Sequence, residues 1–179
     1  MKYEFRHSRI GIGAFATEEI LLGETIKYFS GEVLNTKDVL KRVGGGTLRR
    51  DDPLQIDDDL YIVVDDTSLY FNHSCDPTAA IRGYNELFAY RTIGVGQEIT
   101  FDYSTVVGTA VLNTCWSMTC ECGSPKCRKA IRSAFYLPAT DLKAYAYKGA
   151  LPDFILRQCV NSLLARPNGD AGFRRPGPP

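Results

Sequence analysis

The sequence predicts a mainly β chain with a minor α share, and three observations carry that reading. The first hundred residues hold runs of strand length, alternating or compactly apolar, with Gly23, Gly31, Gly83, Gly94 and Gly96 as turn positions. Helical periodicity is concentrated in residues 140–165. The 179 residues are 44% hydrophobic and 23% charged, the composition of a chain with a packed core.

In chain order, residues 24–29 alternate polar and apolar and read as a strand. Asn35 or Thr36 caps a short helix over residues 37–43, which Gly44, Gly45 and Gly46 end. Residues 60–64 form a compact apolar strand, and residues 87–91 and 97–103 alternate again. Thr140 caps a helix running to Tyr147 and stopped by Gly149. Pro152 and Asp153 open a second helix, with Ile155, Leu156, Val160, Leu163 and Leu164 along one broad face and Cys159 beside it as a small core residue. Residues 166–179, rich in Pro, Gly and Arg, read as a disordered tail.

Several function classes drop out. No stretch approaches the ~20 consecutive apolar residues of a membrane helix, and Met1 to Arg6 lack the apolar run of a secretory signal. The 21 basic residues balance 21 acidic ones, so a globally basic nucleic-acid binder is not expected. The charge is unevenly spread: residues 1–110 hold 11 basic and 17 acidic residues, and residues 111–179 hold 10 and 4. Much of the acid lies at Asp51, Asp52, Asp57, Asp58, Asp59, Asp65 and Asp66, either a solvated edge or a surface that steers a basic peptide. On the steering reading, charge reversal at Asp57, Asp58 and Asp59 raises the peptide KM in low salt.

Six cysteines are present, and Cys120, Cys122 and Cys127 form C-x-C-x4-C followed by Arg128. Thiolates this close on a loop turned by Gly123 and Pro125 suit a tetrahedral zinc site that needs one further ligand. Spacing leaves Cys75 and Cys115 as candidates for it. Without a secretion signal, free thiols point to a reducing compartment, cytoplasm or nucleus, rather than to disulfides.

Other motifs weigh differently. Gly11 to Ala16 fits the letter of a dinucleotide fingerprint, but residues 4–9 are too polar for a buried parallel strand and no βαβ unit follows. His73 and Cys75 sit two apart, as a thiol hydrolase would need, but the Asp76-Pro77 turn beside them supplies no oxyanion hole. The ordered set is more telling: G-x-G near the start, Gly31-Glu32, then Asn72-His73-Ser74-Cys75-Asp76-Pro77, then Gly96 to Tyr103 reading G-Q-E-I-T-F-D-Y, then the cysteine loop.

With these segments in this order, residues 3–130 resemble the SET-domain family of protein lysine methyltransferases, including its zinc-binding post-SET segment. The resemblance implies a SET-type fold of small curved sheets around a pseudoknot, with the C-terminal helices as an addition. It divides the chain into a SET domain at 1–110, a post-SET zinc segment at 111–130, a helical extension at 131–165 and the tail. It implies S-adenosylmethionine held by Ile12, Gly13, Ala14, Phe15, Asn72 and His73, with Trp116 as a cover for the adenine. It makes Tyr103 the catalytic tyrosine, selects Cys75 as the ligand of structural Zn2+ beside Cys120, Cys122 and Cys127, and puts Phe101, Tyr28 and Phe29 in the substrate channel. Phenylalanine at Phe101 leaves more room than tyrosine and leans toward di- or trimethylation.

The implied activity is methyl transfer from S-adenosylmethionine to a lysine of a histone tail or another basic protein, with neither a nucleic acid nor a membrane as partner. The alternative is a catalytically silent, zinc-stabilised peptide-binding module. Departures from the family pattern, Thr78, Leu69-Tyr70 and Phe29, fall on the peptide channel more than on the cofactor residues, and no cysteine-rich segment precedes the domain.

Overall fold

The computed structural model describes residues 1–109 and 116–164. The expected disordered tail and Cys115 lie outside them. In chain order the strands and helices are β1 (Tyr3–His7), β2 (Ile12–Ala16), β3 (Thr25–Tyr28), β4 (Gly31–Asn35), α1 (Thr36–Gly44), β5 (Pro53–Asp57) and β6 (Leu60–Val64). They continue with β7 (Ala79–Arg82), β8 (Glu86–Ala89), β9 (Met118–Thr119), β10 (Ala130–Ile131), α2 (Ala139–Tyr147) and α3 (Asp153–Leu164). None of the described helices is long and apolar enough to cross a membrane.

The strands form four small antiparallel sheets: β1-β2, β3-β8-β7, β4-β6-β5 and β10-β9. The polar β1 pairs with β2 as a hairpin, Tyr3 opposite Ala16 and His7 opposite Ile12, so Gly11 lies in the turn and Gly13 in an antiparallel strand, and no βαβ unit follows among the described residues. The apolar β6 is a central strand, and α1 starts where Asn35 accepts the Asp38 N–H at 2.9 Å. Gly45 closes that helix as expected, donating to Lys41 O.

Alternation along β7 and β8 explains the two cores. Ala79, Ile81, Leu87 and Ala89 face a main core with Ile20, Phe29, Phe71, Ile93 and Ile99. Ala80 and Phe88 face the other way, onto Leu151, Phe154 and Ile155 of the C-terminal extension. Each of those large side chains contributes about 1.5–3 kcal/mol by leaving water, so the extension is an integral layer.

Four expectations need correction. Residues 97–103 form no continuous ladder: Ile99 donates to Ala14 O and Phe101 to Asn72 O, so the segment changes partner midway between β2 and residues 72–79. Ile99, Thr100, Phe101 and Asp102 are buried in succession rather than alternately, and a segment shared between two neighbours is too short on either side to build a sheet. The strand expected at 87–91 is Glu86–Ala89, because Tyr90 and Arg91 turn away to donate to Thr78 O. Helix α2 begins at Ala139 with Pro138, not Thr140, in the capping position; proline has no N–H to leave unsatisfied there. On α3, Ile155 and Leu156 pack inward with Cys159, whereas Val160 and Leu164 are exposed.

Candidate active site

Residues 71–74 and 99–103 run side by side, Phe101 N donating to Asn72 O and Ser74 N to Phe101 O, and together they wall off two cavities. Successive side chains on an extended segment point to opposite sides. Phe71 therefore lines one cavity, and Asn72 lines the other.

The polar cavity, about 180 Å³, is bounded by Ser8, Arg9 and Ile10 from the β1–β2 turn, by Asn72, His73 and Ser74, and by Glu98, Thr100 and Cys122. Asn72 Nδ2 donates to Ile12 O (3.0 Å), Glu98 Oε1 (2.8 Å) and Ser8 Oγ (3.2 Å). A Cβ at Gly13 would overlap Glu98 Oε1 and lie 3.1 Å from Asn72 Nδ2, so the missing side chain is what lets the Glu98 carboxylate come this close. Ile12, Gly13, Asn72 and His73 thus come together. The side chains of Ala14 and Phe15 do not: Ala14 is in the core, and the Phe15 ring lies under the Arg6 guanidinium.

The aromatic cavity, about 110 Å³, is walled by Phe29, Phe71, Phe101 and Tyr103. Phe101 lies 4.8 Å from the Tyr103 ring and 5.9 Å from Phe29, centroid to centroid. The Tyr103 hydroxyl donates to Phe71 O at 2.9 Å, and burial, reinforced by the Glu98 charge, pushes its pKa well above the usual phenol range. It stays protonated at any ordinary pH. Trp116 lines this cavity and not the polar one, because its Nε1 donates to Asp51 Oδ1 at 2.7 Å. Tyr28 is outside both, 59% exposed on β3.

Beside the polar cavity four sulfurs gather. Cys120 Sγ lies 3.7 Å from Cys75 Sγ and 3.6 Å from Cys127 Sγ, and Cys122 Sγ is within 4.8 Å of both Cys75 and Cys120 Sγ. Four thiolates at ~2.3 Å from one tetrahedral ion sit roughly 3.8 Å apart, so the donor set fits a metal of that kind. Burial pushes the Cys75 and Cys120 thiols up. Against the same burial, hydrogen bonds from backbone and neighbouring thiols bring Cys122 down to about 7.

His73 joins the cluster to the wall. Its Nδ1 accepts the Tyr103 N–H at 3.1 Å, closer than the Asp102 carboxylate at 3.5 Å, so the proton sits on Nε2 and points at Cys75 Sγ, 3.2 Å away. Burial, with the Arg128 charge, holds the ring neutral against the pull of Asp102, its pKa lowered to about 4.

Sequence reasoning missed three residues. Asp102, fully buried between Phe101 and Tyr103, accepts from Arg128 Nη2 (2.6 Å), Ser104 N (3.1 Å) and the Tyr145 hydroxyl of α2 (3.2 Å). Glu98 and Arg128 complete the trio. Their signal was charge inside otherwise apolar or cysteine-rich segments. The acidic stretch also divides: Asp57 and Asp58 pair with Arg157, Asp59 accepts from Thr36 N and Asp65 pairs with Lys27, whereas Asp51 and Asp52 line the aromatic cavity.

Residues 11–104 match the family model described as the SET domain. The chain is 29% identical over 140 residues to a histone-lysine N-methyltransferase trithorax of Drosophila virilis, an alignment covering 70% of this chain and 3% of that protein. It is 30% identical over 138 residues to histone-lysine N-methyltransferase ASHH3 of Arabidopsis thaliana, covering 69% of this chain and 36% of that one. The variant-silencing SET domain-containing protein of Plasmodium falciparum (isolate 3D7) is 32% identical over 136 residues, covering 66% and 5%. The chain therefore spans a small part of these relatives' own length.

Among solved structures, KRYPTONITE in complex with mCHH DNA, H3(1-15) peptide and SAH superposes with a TM-score of 0.53 at 23% identity, covering 72% of this chain and 29% of that one. A humanized mutant of the Chaetomium thermophilum Polycomb Repressive Complex 2 bound to the inhibitor GSK343 gives 0.51 at 22%, covering 60% and 16%. These likenesses establish the fold.

Proposed function

The chain belongs to the SET-domain family, and from that premise we propose that it transfers a methyl group from S-adenosylmethionine to a lysine side chain of a basic protein such as a histone. The observation that carries this is Tyr103, which lines the aromatic cavity while its backbone N–H is held by His73, a residue of the polar cavity behind it. S-adenosylmethionine supplies a methyl group already activated by its positive sulfur.

The protein's own task is placement. Free lysine has a pKa of ~10.4, so the amine must arrive neutral, and the walls of Phe29, Phe71 and Phe101 disfavour its charged form by excluding water. The Tyr103 hydroxyl and the Phe71 carbonyl orient the amine. Ile12 and Gly13 by their backbone, with Asn72 and His73, hold the methyl donor. Phe101 at the channel wall leans toward di- or trimethylation. Cys75, Cys120, Cys122 and Cys127 would hold one structural zinc, supported by the closeness of their sulfurs, and the reading keeps the division into a SET domain to residue 110, a post-SET segment to 130 and a helical extension to 165. The histone reading rests on the names of the relatives and on the H3 peptide in the solved neighbour, and a nuclear location goes with it.

The test is transfer of labelled methyl from S-adenosylmethionine to core histones and to a basic peptide, with Tyr103→Phe beside the wild type and zinc measured on both. Label on lysine, reduced at least ~100-fold in the variant while cofactor affinity and one zinc per chain are kept, is the expected result. Cofactor binding without transfer to any basic substrate would leave the silent peptide-binding module instead.

A further inference from the structure

Glu98 has no part in the function so far, yet it is placed unusually. It lines the polar cavity, and among the described residues its carboxylate has no cationic partner; the hydrogen bond it takes comes from Asn72 Nδ2. Asn72 Nδ2 meets three oxygens that accept here, Ile12 O, Ser8 Oγ and Glu98 Oε1, with only two hydrogens to share. Turning the amide over would set its Oδ1 against the Ile12 carbonyl and the Glu98 carboxylate, acceptor against acceptor. The orientation is therefore fixed. Asn72 Oδ1 is turned away from these partners, on a residue that lines the cavity, and accepts no hydrogen bond among the described residues.

A cavity offering a fixed amide oxygen backed by an unpaired carboxylate suits a ligand group that is positively charged and only donates: a primary ammonium. We infer that Glu98 is a positioning residue for the cofactor's amino-acid end: it locks the Asn72 amide so that Oδ1 receives the ammonium, and its negative charge favours that ammonium over a neutral group. This rests on the cofactor reading above. Arg9, on the rim of the same cavity, has no carboxylate partner among the described residues and supplies the opposite charge that a zwitterion needs.

Calorimetric titration with two ligands tests the inference without turnover. S-adenosylhomocysteine carries the amino-acid end; methylthioadenosine lacks it. Glu98→Gln is expected to weaken S-adenosylhomocysteine about tenfold and leave methylthioadenosine unchanged, a split that loosening of the fold would not give. A deaminated S-adenosylhomocysteine, titrated into the wild type, removes any dependence on how the variant folds: a loss of about tenfold or more is expected. Equal losses on both ligands, no loss on either, or a deaminated analogue that binds as well as the parent would overturn the proposal. A wild type that binds neither adenosyl ligand would overturn the cofactor reading itself, and this inference with it.

Discussion

Gly13 is where one missing methyl group sets the geometry of the polar cavity. A Cβ there would displace the Glu98 carboxylate, the free end of a flexible side chain, so the fold can accommodate it at little cost. That displacement would break the bond to Asn72 Nδ2 and release the amide. Gly13→Ala is therefore expected to cost only about 1 kcal/mol of stability, one hydrogen bond's worth, while weakening S-adenosylhomocysteine tenfold or more; urea unfolding and calorimetry on one preparation check both. At this scale the sequence was informative where polar residues interrupt apolar surroundings, as at Asn72, His73 and Tyr103. It was blind to side-chain direction. Tyr28 and Trp116 stand next to informative motifs, yet Tyr28 faces outward, and Asp51 holds Trp116 at the aromatic cavity. Glu98, an acid between Gln97 and Ile99, looks like a solvent-facing position until its partner Asn72 is known.

Asp102 joins elements that are far apart in the chain. Arg128 leaves the cysteine loop, Tyr145 leaves α2, and both end on this buried carboxylate between Phe101 and Tyr103. The two contacts are unequal. Arg128→Met would strand a buried charge, at a cost of about 3–5 kcal/mol, whereas Tyr145→Phe removes one hydrogen bond, about 1 kcal/mol. Urea midpoints should rank them in that order, and the double variant should fall short of the sum because both act on one carboxylate. Nothing local in the sequence announced this joint. The length and type of α1 were legible because an Asn35 cap and a glycine stop agree, and those of β6 because its compact apolar run has strand length. The partner change in residues 97–103 was not, because alternation states which face is buried and never which chain lies alongside. The start of α2 was misplaced for a related reason: Thr140 is a good cap by residue type, but Pro138 already fixes the backbone two residues earlier.

For the whole molecule, the question is which part of its acidic half still faces a substrate. The structure neutralises or engages Asp57, Asp58, Asp59 and Asp65 through Arg157, Thr36 and Lys27. This shifts the steering expectation away from residues 57–59. The group left near the aromatic cavity is Asp51, Asp66 and Asp52, the last paired among the described residues only with the exposed Arg49 at 3.8 Å. Burial raises the Asp52 pKa, and the like charges of Asp51 and Asp66 add to it against the pull of Arg49. Repulsion of that kind is relieved when a basic residue arrives beside the target lysine. Asp51 also anchors Trp116, so Asp52 and Asp66 are the cleaner pair to change. Asp52→Asn with Asp66→Asn is expected to raise the peptide KM several-fold at low salt with kcat unchanged. The effect should fade as the screening length shrinks from ~10 Å at 0.1 M to ~3 Å at 1 M. Asp57→Asn with Asp58→Asn removes as much formal charge, but its cost should appear in the unfolding midpoint, because those carboxylates hold α3 against β5 through Arg157 and Gln158. If the two pairs shift KM alike, net charge alone attracts the peptide; if only the first does, the peptide's basic flank is read at the mouth of the channel.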